Sequence, residues 1–234
     1  MLTREEYLAA WSRWHGGTDP AAGRLVRGWL SLAYVLARRL AGVPPLLATA
    51  LGLAVALGAA GLAVPGGGWL VVAGLLVGAS GLLDSLDGAL AIAGGRASRR
   101  GFVLDSAVDR LTEAAYATAL WLAGAPGWLA AAFGALCWLP DYLRARAGQA
   151  GVAETGSLSV WERPARVAMT GFTLGGAGVL ALVDGPAGVV VLAGTAAGVL
   201  LGAVAVAQLG ITLRRALSDD GVPRSGGPPG SPLP

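Results

Sequence analysis

Long apolar runs alternate with short glycine- and proline-rich joints along most of the chain. A helix needs about 20 apolar residues to cross a bilayer. Six runs approach or exceed that length, at 44–64, 69–93, 102–123, 127–147, 165–183 and 187–213. The second, third and fourth carry acids near their ends, so a simple hydropathy scan underrates them. Ahead of these runs, residues 3–15 and 24–41 mix Trp11, Trp14, Trp29 and Tyr34 with Arg13, Arg24, Arg27, Arg38 and Arg39. Aromatic and basic side chains together favour the headgroup zone, which predicts helices lying along the interface. A seventh span at 28–41 competes, but Arg38 and Arg39 leave its apolar part short. From Ser218 onward Gly, Pro and Ser dominate, as in a disordered tail. The pattern predicts an all-α polytopic membrane protein with six transmembrane helices preceded by N-terminal interfacial amphipathic helices. Its parts are an interfacial segment at 1–42, a six-helix domain at 43–216 and a disordered cytoplasmic tail at 217–234.

Composition agrees. Hydrophobic residues are 55% of the chain and charged residues 13%, about half the charge of an ordinary soluble domain. The sequence pI is about 9.6, yet the net charge is only +3 and no basic–aromatic stripe marks a nucleic-acid surface. The N-terminus, Met1 to Glu6, is too polar for the apolar core of a secretory signal. Cys137 and His15 are the only residues of their kinds. A disulfide within the chain and a Cys- or His-cluster metal site are therefore excluded. Cys137 is expected to pack and His15 to serve a local turn.

All 17 basic residues are arginine, and their placement predicts orientation. They fall in the N-terminal segment, the 94–101 loop, the start of the third run, the 144–166 region and the tail. The joints at 65–68, 124–126 and 184–186 have none. Under the positive-inside rule both termini are cytoplasmic. The protein is then a multi-pass protein of the cell membrane.

Four acids break the apolar pattern: Asp84, Asp87, Asp105 and Asp109. A carboxylate at membrane depth costs several kcal/mol unless paired, solvated or bound to metal. One couple is spaced i, i+3 and the other i, i+4, so each lies on one helix face. Two such faces joined by a short loop can enclose hard divalent cations in an all-oxygen site suited to Mg²⁺, Mn²⁺ or Ca²⁺. Such ions stabilise the charge that develops as a diphosphate is cleaved. One carboxylate left partly free of metal can take a proton from an attacking hydroxyl. Gly88 leaves a bare backbone surface for a flat group. Glu113 extends the second couple by another i+4 step, either tuning the site or pairing with Arg110. The structural alternative is that the acids merely pair with Arg96, Arg99, Arg100 and Arg110.

The run Asp84-x2-Asp87-Gly88-x2-Ala91-Ile92-x8-Gly101-x3-Asp105-x3-Asp109 resembles the signature of the CDP-alcohol phosphatidyltransferase family. Seven fixed positions match, and Ile92 stands where the family has Arg. Upstream, Pro45, Thr49 and Gly52 match the family's first-span pattern, with Leu46 in place of Asn. Arg96, Arg99 or Arg100 are the candidates to replace the two missing polar contacts. The resemblance implies that Asp84, Asp87 and Asp105 hold the metal, Mg²⁺ or Mn²⁺. It makes Asp109 the general base and a further ligand, and puts Thr49, Gly88 and Ala91 at the cytidine nucleotide. It also implies a CDP-diacylglycerol-type lipid donor, a small polar alcohol as acceptor, release of CMP, and a homodimer in the bilayer.

Downstream, Arg144, Arg146, Arg163 and Arg166 stand at the cytoplasmic ends of the fourth and fifth runs. They mark topology or, since Arg binds phosphate in bidentate fashion, form an anion pocket. Their Arg-Ala-Arg-Ala and Glu-Arg-Pro-x-Arg strings resemble the phosphatidylinositol phosphate synthase branch, where this region holds the acceptor's phosphate. The phosphatidylglycerophosphate synthase branch shares the layout, with glycerol 3-phosphate as acceptor. Outside the enzyme class stand a catalytically inactive, lipid-binding relative, which suits Ile92 and Leu46, and a transporter. The acids cluster at one face and form no chain across the membrane, which disfavours transport.

Overall fold

The computed structural model describes residues 1–14, 24–152 and 159–219, and among these it contains eight helices and no strands. They are α1 (Arg4–Trp14), α2 (Arg24–Arg39), α3 (Pro45–Ala63), α4 (Trp69–Ala93), α5 (Arg99–Leu122), α6 (Gly127–Gln149), α7 (Arg163–Ala181) and α8 (Ala187–Asp219). Three are long and apolar enough to cross a membrane: Pro45–Ala63, Trp69–Ala93 and Ala187–Ser218. The other three predicted spans are also helices, but their charges dilute the apolar run. Those charges are concentrated in α5 (Arg99, Arg100, Asp105, Asp109, Arg110 and Glu113). Helix α8 continues to Asp219, past the predicted end at 213 and into the predicted tail. His15 and residues 220–234 lie outside the described residues.

Helix α4 organises the bundle, packing against α2, α3 and α7. Small residues let it come close. A β-carbon on Gly74 would sit 2.5 Å from the Gly171 carbonyl oxygen of α7, and Gly178 of α7 lies against the backbone of Leu70 and Val71. Alanines fill the facing surfaces, with Ala56, Ala59, Ala60 and Ala63 of α3 buried beside Ala73 and Val77. Near the polar end, Gly52 brings α3 to within ordinary contact of Leu83 and the Ser80 carbonyl, beside Asp84.

A second core joins the N-terminal helices to the same end of α4. Leu30, Ala33, Tyr34 and Ala37 of α2 pack with Leu86, Ala89, Leu90 and Ala93. Trp29 Nε1 donates to Ser85 Oγ at 2.8 Å, next to Asp84. At 16 residues, α2 is about 24 Å long, short of the bilayer core.

Local chemistry sets the turn between the two aspartate helices. Gly95 adopts φ +64°, and Arg96 N–H then closes on the Ala91 carbonyl at 2.8 Å, a left-handed helix stop that glycine makes without strain. Ser98 caps α5 by accepting from Gly101 N–H at 3.0 Å. Gly101 suits this close approach, because a β-carbon there would lie 3.0 Å from Ser98 Oγ. The cap fixes where α5 begins, and so where Asp105 and Asp109 point about two and three turns later.

Candidate metal and anion site

Asp84 and Asp87 come from α4, Asp105 and Asp109 from α5, Thr49 from α3 and Arg163 from the first residue of α7. One carboxylate oxygen each of Asp84, Asp105 and Asp109 lies within 4.8 Å of the others. Asp87 is buried, and its Oδ2 accepts from Thr49 Oγ1 at 2.6 Å. Arg163 reaches into the cluster. Its Nη2 is 2.8 Å from Asp84 Oδ1, and its Nη1 pairs with Asp109 Oδ1. Thr49, Gly52, Ser80, Asp84, Asp87, Asp109, Thr112 and Arg163 line part of the cavity here. It is about 10 Å³, room for about one water-sized group.

The donor set fits a hard cation. Every side chain offered is a carboxylate, and Asp105 Oδ1 is buried without a hydrogen-bond partner. A buried acceptor left so is costly, and a metal ion would satisfy it. Three carboxylates face each other against one guanidinium, so the cluster has capacity for added positive charge.

Beside the cluster lies an ionic network of three arginines and three acids. Arg166 and Glu113 are both 1% exposed and 2.5 Å apart. Asp141 Oδ2 accepts from Arg166 at 2.9 Å and from Arg110 at 2.8 Å. Arg110 also pairs with Glu113 at 3.3 Å. Arg144 bridges Asp141 Oδ1 at 3.3 Å and Glu162 Oε1 at 2.6 Å. Burial raises the Glu162 pKa, but hydrogen bonds from Arg144 and Ser159 outweigh it and hold the carboxyl below its ordinary value.

The loop before α7 is anchored by Trp161, which is fully buried. Its ring meets Phe133 edge to face at 5.4 Å and covers Gly198 and Gly202 of α8, where β-carbons would meet it at 3.1 and 3.2 Å. Its carbonyl accepts from Arg166 Nε at 2.9 Å. The anchor and the network together hold the start of α7 and aim Arg163 at the aspartates.

The four arginines singled out from sequence therefore stand in different places. Arg163 is among the aspartates, Arg166 and Arg144 are held by acids, and Arg146 is exposed and donates to Gln149 Oε1 at 2.6 Å. Of the two roles weighed for Glu113, the pair with Arg110 is present, and Glu113 also pairs with Arg166. Of the arginines weighed as structural partners, Arg96 donates to the Ala41 carbonyl at 2.9 Å, and Arg110 joins the network. A β-carbon on Gly88 would meet nothing within 4 Å, so that surface stays open. Ala91 is half-buried one turn beyond. The sequence reading missed Asp141, Ser159, Trp161 and Glu162 as supports. The i, i+3 pair Asp141–Arg144 was the one visible signal.

A family model described as CDP-alcohol phosphatidyltransferase matches residues 35–201. Among curated proteins, the archaetidylinositol phosphate synthase of Pyrococcus horikoshii is 35% identical over 98 residues, 42% of this chain and 52% of that protein. The chain thus spans about half the length of that relative.

Proposed function

The chain belongs to the CDP-alcohol phosphatidyltransferase family, and on that premise we propose that it moves a phosphatidyl group from a CDP-alcohol, CDP-diacylglycerol in type, to a small polar alcohol. The observation that carries the reading is the meeting of Asp84, Asp105 and Asp109 oxygens within 4.8 Å, on facing helices inside the matched stretch. The relative's name supports an inositol phosphate as acceptor.

In this reading Asp84, Asp87, Asp105 and Asp109 hold Mg²⁺ or Mn²⁺. When bound, the ion supplies positive charge to the diphosphate. Thr49 fixes the Asp87 carboxylate through its 2.6 Å hydrogen bond. Asp109 accepts the proton of the acceptor hydroxyl. The acceptor oxygen then forms a bond to the phosphorus bearing the lipid, the bond from that phosphorus to the CMP oxygen breaks, and CMP leaves. The open backbone at Gly88, with Ala91, receives the nucleotide. Arg163 takes the acceptor's phosphate foremost, with Arg144, Arg146 and Arg166 completing the basic side of the site.

All six runs span the membrane, with α1 and α2 at the interface and the site and both termini cytoplasmic. The support is the arginine asymmetry together with the buried pairing of the charges on α5, α6 and α7. The homodimer rests on the resemblance.

The test is CMP release by the purified full chain from CDP-diacylglycerol, with and without Mg²⁺, and with inositol phosphate or glycerol 3-phosphate. Metal-dependent release with inositol phosphate is expected. Release with glycerol 3-phosphate alone would move the acceptor to the other branch. No release under any condition would leave the inactive lipid-binding relative.

A further inference from the structure

Two of the carboxylates that would hold a metal ion also hold a side chain. Asp84 Oδ1 and Asp109 Oδ1 both pair with the Arg163 guanidinium, and both residues belong to the carboxylate cluster. A guanidinium and a divalent cation held by the same two carboxylates repel each other strongly at such short range. Resting on the metal-site reading above, we propose that Arg163 is a competing cation that leaves the aspartates when a metal ion binds, and that its release presents the guanidinium to the acceptor's anionic group.

The surroundings confine the exchange to this one side chain. Arg166, three residues on, is fixed by Glu113, Asp141 and the Trp161 carbonyl. Arg144 is fixed by Asp141 and Glu162. Trp161 pins the preceding loop, and Pro164 follows Arg163 at the helix start. Arg163 itself is 20% exposed at its side chain, and its Nε is buried without a hydrogen-bond partner. Its bonds to the aspartates thus leave one donor unmet, which an anion with several acceptor oxygens can satisfy. Charge balance gives the order of events. Metal binding neutralises the carboxylates that held Arg163, so the anion site is completed only once the metal is in place.

The experiment is a titration of the detergent-solubilised full chain with Mn²⁺ alone, reading free Mn²⁺ by its paramagnetic resonance signal, then repeated in inorganic phosphate. Removing the competitor in Arg163→Ala should tighten Mn²⁺ binding about tenfold, a usual size for coupling between sites. Arg163→Lys keeps the cation and should stay near wild type. Arg163→Met keeps the apolar stem and serves if the alanine variant folds poorly. Phosphate should tighten Mn²⁺ binding in the wild type, and by less in Arg163→Ala. Unchanged or weaker Mn²⁺ binding in both neutral variants, with the wild type binding normally, would overturn the exchange while leaving the metal site standing. Absence of Mn²⁺ binding by the wild type would instead overturn the metal site, and the exchange with it.

Discussion

Gly74→Ala probes whether the close approach of α4 and α7 sets the geometry of the site. A β-carbon at position 74 would lie 2.5 Å from Gly171 O, 2.7 Å from Gly175 N and 2.9 Å from Gly175 Cα. All three are backbone atoms, so no rotamer change relieves the clash. Carbon contacts settle at roughly 3.5–4.0 Å, and the two helices must therefore separate by about 1 Å. Overpacking of this kind costs about 1–3 kcal/mol. For a chain of this length that is a fall in Tm of roughly 2–12 °C. Asp84 rides on α4 and Arg163 on α7, so the same displacement shifts one side of the site against the other. A misplacement of about 1 Å can cost on the order of 100-fold in turnover. Both quantities are measurable on purified protein, Tm from tryptophan fluorescence and turnover from CMP release. Gly78→Ala is the control, one turn along the same helix, where a β-carbon meets nothing within 4 Å. It should melt and turn over like wild type. If the two variants behaved alike, backbone contact at Gly74 would not be what holds α4 against α7.

Asp84→Asn, Asp87→Asn and Asp105→Asn should each abolish CMP release while leaving Tm nearly unchanged. The amide keeps the carboxylate's shape but is a poor ligand for a hard cation, and near wild-type turnover would remove that residue from the ligand set. Glu113→Ala leaves Arg166 buried with Asp141 as its remaining acid, and breaking a buried pair costs about 3–5 kcal/mol. A clear drop in Tm is expected, largely recovered in Glu113→Leu/Arg166→Met, and an unshifted Glu113→Ala would show that the pair adds no stability. Cysteines replacing Pro65, Gly127 and Pro186, all exposed, should label from outside the membrane, and one replacing Ala97 only from inside. Outside labelling at Ala97 would invert the topology.

Much of the protein is legible along the chain because the determinants are local. Run length and composition give eight helices to within about three residues, except that α8 continues to Asp219, past its predicted end. The i, i+3 and i, i+4 spacings put each aspartate couple on one face. The signature from Asp84 to Asp109 names the family, which the match over residues 35–201 bears out. The partners across helices are another matter. Nothing local separates Arg163 from Arg166, three residues apart at the same helix end, yet one faces the aspartates and the other is buried between Glu113 and Asp141. That difference follows from how α7 is seated on α4 and α8. Gly74 meets Gly171 and Gly175 at backbone distance, and Trp161 fits over Gly198 and Gly202. A glycine in an apolar run shows only that no side chain is present. Which surface fills the space depends on residues as much as a hundred positions away, and that is decided when the helices pack.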